Sequence, residues 1–141
     1  MIALFKQIKM EPGIQHFHSI WRYVTLILLL LAFARSLQGW MSKAEYTASD
    51  TKLGLFAMIS LHIQLLTGLI LYFLSDLVRF AEMGEVMKNS LLRFWTVEHI
   101  SMMIVAVVLV TIGRGKAVKA VDSLTKHKKI AIFFGIGLLL I

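Results

Sequence analysis

The sequence predicts an all-α integral membrane protein, an up-and-down bundle of four helices. Three observations support this fold class. Apolar residues make up 58% of the 141 residues, and they are concentrated in blocks of the length that spans a bilayer. Short polar connections join the blocks, which favours antiparallel neighbours. The chain has one proline and no cysteine, so the blocks carry no proline break, and neither a disulfide nor a thiolate metal site is expected.

The first predicted membrane helix covers about 19–39, with the apolar core YVTLILLLLAFA. Trp21 lies near one end and Trp40 just past the other, as in the aromatic belts of membrane proteins. Residues 1–11, MIALFKQIKME, lack the layout of a cleavable signal. They predict a short amphipathic helix at the membrane surface, ended by Pro12-Gly13.

The other three predicted helices cover about 53–74, 91–112 and 124–141. The second has only two strongly polar interior residues, His62 and Gln64. The last is short for a span of about 20 residues, so we expect the native chain to continue past its end. Residues suited to helix capping precede these helices, namely Ser49 or Asp50, Asn89-Ser90 and Asp122-Ser123.

The net charge of +7 is concentrated in one connection. Six of the 15 lysines and arginines fall between Arg114 and Lys129, against one acid, Asp122. No recognition motif accompanies these bases, so the sequence does not predict nucleic-acid binding. The positive-inside rule places this connection between helices 3 and 4 in the cytoplasm and the N-terminus outside.

Four histidines fall one to each predicted helix, and ionisable side chains within membrane spans usually have a function. His18 and His99 begin helices 1 and 3 on the outer side. His62 lies in the middle of helix 2, and His127 lies near the start of helix 4. His16 is two residues from His18 and therefore points to a different face, so we interpret it as a surface residue.

The diagonal helices of a four-helix bundle face each other across the core, which suits a haem held by two axial histidines. The predicted outer pair is His18 with His99, and the predicted inner pair is His62 with His127. Arg22 shares a helix face with His18 and suits a haem propionate. The inner pair has a mismatch in depth of roughly 10 Å at ~1.5 Å per residue.

Each histidine also has a plainer interpretation. His18 and His99 suit ordinary interfacial side chains, and His127 suits a basic loop among lysines. His62 is the exception, because a mid-membrane histidine needs a partner.

Four segments resemble a small "cytochrome B" family of membrane proteins from Bacteroidetes-type bacteria. They are HSIWRYVTLILLLLA, LHIQLLTGLILYF, RFWTVEHISMMIVAVVLVTIGR and KHKKIAIFFGIGLLLI. The resemblance implies a four-helix b-type cytochrome of the inner membrane, with ligands at His18, His62, His99 and His127. The family pattern continues with a short tail containing Pro-Trp, which this sequence lacks.

The leading hypothesis is therefore transmembrane electron transfer by a protein with two b haems, although one haem is also compatible with the sequence. The bilayer and a quinone or respiratory partner are the expected partners, and no catalytic residue is assigned. The first alternative is a non-catalytic anchor subunit of a larger complex. Further alternatives are a metal or proton transporter and a quinone-binding protein. Motifs of soluble enzymes are absent from the sequence.

Overall fold

The computed structural model describes residues 11–141, and this part of the chain contains helices and loops but no strand. The helices are α1 (Glu11–Ser42), α2 (Ala48–Leu74), α3 (Met83–Lys88), α4 (Ser90–Arg93), α5 (His99–Lys119) and α6 (Ser123–Leu140). A π-helical segment, Phe94–Glu98, joins α4 to α5. The prediction of an all-α protein is confirmed over the described residues.

The helices extend further than their apolar cores. α1 and α2 begin before the predicted starts at 19 and 53, and the helix predicted over 91–112 continues to Lys119. Sequence reasoning placed the ends where polar residues begin, but polar residues in the last turns keep helical geometry. The predicted surface helix over 1–11 lies outside the described residues except for its final position.

Polar caps start the later helices. Thr47 caps α2, and its side chain and that of Asp50 form a reciprocal capping box. Asn89 accepts hydrogen bonds from two backbone N–H groups at the start of α4. Asp122 accepts one from Thr125 at the start of α6, and this bond lowers the pKa of the Asp122 carboxyl. These caps satisfy donors that a helix start leaves free.

The four long helices pack as a bundle in which each helix contacts two neighbours. α1 packs against α2 and α6, and α5 packs against α6 and, less extensively, α2. α1 and α5 therefore lie opposite each other, as do α2 and α6. Contacts such as Thr25 with Ser60 and Arg35 with Asp50 show that α1 and α2 run antiparallel. The crossing of a bilayer by these helices stays a prediction.

Small residues bring the helices close together. The Cβ atom of Phe133 lies where a Cβ atom on Gly113 would be, and the ring of Phe33 packs closely against Gly135. Leu29, Val110 and Phe134 are fully buried in the centre. Close backbone approach through small residues is typical of helix packing in membranes.

Three helical stretches are long and apolar enough to cross a membrane, namely Pro12–Ser42, Ala48–Leu74 and Ser90–Lys119. Large apolar side chains are exposed along them, including Ile20, Leu30 and Phe56. α6 is not in this set, because three lysines fall in its first two turns. An apolar exterior around a small core is expected of a protein solvated by lipid.

Candidate functional site

A cavity of about 560 Å³ lies near one end of the long helices. Side chains of α1, α2, the π-helical segment and α5 line it. Among them are three of the residues singled out from the sequence, His18, Arg22 and His99. Its volume is within the range of small-molecule and cofactor sites. The cavity thus brings together the predicted outer pair of histidines from two opposite helices.

His18 is half-buried and is held from α2. Its Nδ1 lies 3.0 Å from the hydroxyl oxygen of Thr67. The side-chain amide of Gln64 donates to the carbonyl oxygen of His18 over 3.0 Å and lies 3.4 Å from its Nε2. Gly68 faces the same ring, and a Cβ atom there would lie 3.0 Å from Cε1. Two polar residues and a glycine of α2 therefore hold this imidazole on the cavity wall.

His99 is presented by the π-helical segment that precedes it. Its backbone N–H donates to the carbonyl of Phe94, five residues earlier, instead of four. The ring centroids of Phe94 and Trp95 lie 5.6 and 5.5 Å from that of His99. Two aromatic side chains thus contact the imidazole, which is half-buried. Such π-helical turns are frequent at functional sites.

Polar contacts brace this segment on both sides. Tyr72 of α2 donates a hydrogen bond of 2.5 Å to the carbonyl of Thr96. The Thr96 hydroxyl donates in turn to the carbonyl of Leu77. Arg93 and Glu98 form an ion pair of 2.7 Å across the segment. The wider turn before His99 is therefore tied to α2 and to the loop that follows it.

Arg22 lines the same cavity one turn after His18. Its guanidinium donates to the hydroxyl of Tyr23 over 3.0 Å and lies over the Tyr23 ring. No carboxylate lies within ion-pair distance of Arg22 among the described residues. The predicted role as the partner of an anionic group is compatible with that position.

His62 and His127, the predicted inner pair, have separate surroundings. His62 lies midway along α2, and its Nε2 is 3.0 Å from the hydroxyl oxygen of Thr111. Neither histidine lines the cavity that holds His18. Ile130, three residues after His127 on α6, contacts Gly54 of α2 and so marks the depth of His127 along that helix. His62 is eight residues further along α2, or roughly 12 Å at ~1.5 Å per residue.

His127 is fully buried at the end of the molecule away from the cavity. Its ring packs flat on Gly39 of α1 and edge-on to Tyr46, whose ring centroid is 4.8 Å away. Its Nε2 is 3.4 Å from the carbonyl oxygen of Glu45, and its Nδ1 has no hydrogen-bond partner. The geometry does not bring His62 and His127 together, and it does not fit a haem between them. The physical reason is the depth mismatch noted from the sequence.

The remaining groups near His127 form a polar network. Asp50 is buried and pairs with Arg35 over 2.9 Å. Burial raises the pKa of the Tyr46 phenol above its ordinary value. The Tyr46 hydroxyl therefore stays protonated at neutral pH and donates to the backbone carbonyl of Asp50 over 3.3 Å. This network closes the connection between α1 and α2.

Over residues 11–141 no cluster of three or more histidine, aspartate or glutamate side chains is arranged to hold a metal ion. A haem needs only two axial ligands from the protein. His16 is exposed and outside the cavity, as expected of a surface residue.

Sequence reasoning did not assign several residues that line the cavity or contact its histidines. Gln64 and Thr67 are three apart on one face of an apolar helix, and that spacing was the available signal for them. The π-helical turn before His99 and the bond from Tyr72 to this turn have no comparable signature in the sequence.

The chain matches no protein-family model, no curated protein and no solved structure. Function is therefore inferred from the residues of the cavity.

Proposed function

We propose that the chain is a membrane-spanning b-type cytochrome that holds one haem between His18 and His99. One observation carries this proposal: two histidines from opposite helices lie on the wall of a single cavity of about 560 Å³. Haem iron accepts two axial imidazole nitrogens from opposite faces of a flat ring. Opposite helices of a bundle provide that spacing.

The donor set and the surroundings fit this group. The ligands are neutral imidazoles, and the chain has no cysteine that would compete as a thiolate. Arg22 lies one turn from His18 on the cavity wall and suits a propionate, since a guanidinium can form two parallel bonds to a carboxylate. When bound, the iron supplies one-electron redox chemistry.

The chain's own residues have two further tasks in this proposal. Phe94 and Trp95 pack against the ring of His99 and would hold its orientation, which favours a stable ligand bond. Gly68 keeps α2 from crowding His18.

The proposed protein lies in the bacterial inner membrane with its N-terminus outside and the basic connection between α5 and α6 in the cytoplasm. It exchanges electrons with a quinone or another respiratory partner. The four helices cross the bilayer in up-and-down order. The resemblance to the small "cytochrome B" family supports the same function.

The test is a reduced-minus-oxidised visible spectrum of the chain purified in mild detergent, with haem quantified per chain. The wild-type chain should give a sharp b-type band and about one haem per chain. His18→Ala and His99→Ala should each abolish the band, because one imidazole cannot hold a six-coordinate iron. His16→Ala is the matched control, since it removes an exposed histidine two residues from His18, and it should retain the wild-type spectrum.

A separate variant tests the predicted inner pair of histidines. His62→Ala should leave the haem content unchanged, because His62 does not line the cavity. Two haems per chain, one of them lost in His62→Ala, would contradict the single-haem version. A wild-type chain that binds no haem when haem supply is ample would contradict the proposal altogether.

A second candidate is a non-catalytic anchor subunit. It is favoured by the hydrogen bonds that His18 and His62 already make to threonines, since satisfied histidines can be structural. This function predicts a colourless protein that co-purifies with a larger complex. The same spectrum therefore separates the two candidates.

A further inference from the structure

The hydroxyl of Thr67 is placed to donate within its own helix and to accept from His18. Its oxygen lies 3.1 Å from the carbonyl of Ile63 and 3.0 Å from that of Gln64, and it donates to these groups of its own helix. A hydroxyl has one proton, so lone pairs alone face His18. The Nδ1 atom of His18, 3.0 Å away, must therefore carry the ring proton in this bond.

Gln64 specifies the same tautomer from the other side of the ring. Its amide nitrogen lies 3.0 Å from the His18 carbonyl oxygen, which fixes the orientation of the amide. The reverse orientation would place two acceptors against each other. The same nitrogen lies 3.4 Å from Nε2 of His18 and donates towards it. Nε2 therefore bears the lone pair.

We propose that Thr67 is a positioning residue that holds His18 in the Nδ1–H form, in which Nε2 bears the lone pair and accepts from the Gln64 amide. The consequence for haem rests on the proposed function: Nε2 would be the ligand atom in place of its bond from the Gln64 amide, and Thr67 would anchor the ring. The assignment of the tautomer does not depend on haem. An outer partner of this kind sets ring orientation and basicity at metal-binding histidines.

His62 provides a comparison within the same chain. The Thr111 hydroxyl donates to the carbonyl of Val107 over 2.7 Å. His62 presents Nε2 to that hydroxyl over 3.0 Å. By the same reasoning Nε2 carries the proton in His62. The two histidines are therefore expected in opposite tautomers.

The experiment is ¹⁵N NMR of the full chain labelled at histidine, in detergent micelles and without added haem. It is run near pH ~8.5, above the ordinary histidine pKa of about 6.5. His18→Gln and His62→Gln assign the two sets of ring signals. We expect a protonated Nδ1 in His18 and a protonated Nε2 in His62. Thr67→Val should weaken the preference in His18 to the part that the Gln64 amide imposes, and Thr67→Ser, which keeps the hydroxyl, should restore it.

Haem affinity is measured on the same variants by titration with haemin. Thr67→Val should weaken binding by about tenfold or more, and Thr67→Ser should stay near the wild type. A wild-type His18 protonated at Nε2, or a Thr67→Val chain with the same tautomer populations as the wild type, would overturn the positioning role. The expected tautomers without any haem binding would instead overturn the proposed function alone.

Discussion

Gly39 is a residue at which a neighbouring side chain leaves no room for a Cβ atom. A Cβ atom at this position would overlap the ring of His127, which is itself fully buried. Gly39→Ala must therefore displace that ring from its packing against Tyr46. We expect the free energy of unfolding to fall by about 1–3 kcal/mol, as for other overpacked positions. Unfolding in mixed micelles, followed by circular dichroism, measures this change.

Gly115→Ala is the matched control, because Gly115 is also helical and an added Cβ meets nothing within 4 Å. It should be neutral or stabilise by up to about 1 kcal/mol through helix propensity. Equal destabilisation by both substitutions would contradict the packing explanation.

Individual residues differ in how far the sequence could predict their roles. His18 and His99 could be paired because helix order alone puts their positions at one end of opposite helices. The partners of His18, Thr67 and Gln64, could not be assigned, because their roles depend on how α2 is rotated about its axis. The alternative interpretation of His127 as part of a solvated loop among three lysines did not anticipate its full burial.

At the scale of elements, the π-helical segment Phe94–Glu98 is stabilised by a hydrogen bond that can be removed by deleting a single oxygen atom. Tyr72→Phe deletes the hydroxyl that donates to Thr96 and keeps the aromatic ring. Loss of such a bond is worth about 1 kcal/mol. Amide hydrogen exchange over 94–99 should accelerate roughly fivefold, as measured by mass spectrometry.

Tyr46→Phe is the control for this change. It removes a comparable bond from a tyrosine hydroxyl to the backbone carbonyl of Asp50, at the opposite end of the molecule. Exchange over 94–99 should then match that of the wild type. Unchanged exchange in Tyr72→Phe would show that the bond does not stabilise the segment.

Hydropathy predicted that the long helices exist, but it did not predict where they end or that a π-helical turn precedes His99. The end of α5 at Lys119 follows seven residues beyond the predicted 112. Hydropathy falls there, but the backbone hydrogen bonds of a helix do not depend on side-chain polarity. The extra residue in the turn before His99 leaves the apolar pattern almost unchanged, so periodicity cannot reveal it.

At the scale of the whole molecule, the proposed orientation can be tested by labelling, because the native chain has no cysteine. Val121→Cys places a thiol in the basic connection, where the residue is 97% exposed. Met83→Cys places one at the start of α3, at the other end. In intact spheroplasts a membrane-impermeant maleimide should label Met83→Cys and leave Val121→Cys unlabelled until the membrane is permeabilised. The reverse pattern would contradict the proposed orientation.

The position of the cavity has an electrical consequence. His18 lies seven residues into α1, so a charge placed there is roughly 10 Å from the start of that helix at ~1.5 Å per residue. Moving one charge through a full potential of 100 mV involves about 2.3 kcal/mol. A charge that enters from the near side reaches this site after crossing only a minor part of that drop. In a chain that spans the bilayer, electron uptake at this level should therefore respond weakly to membrane voltage, and transfer to the far side should respond strongly.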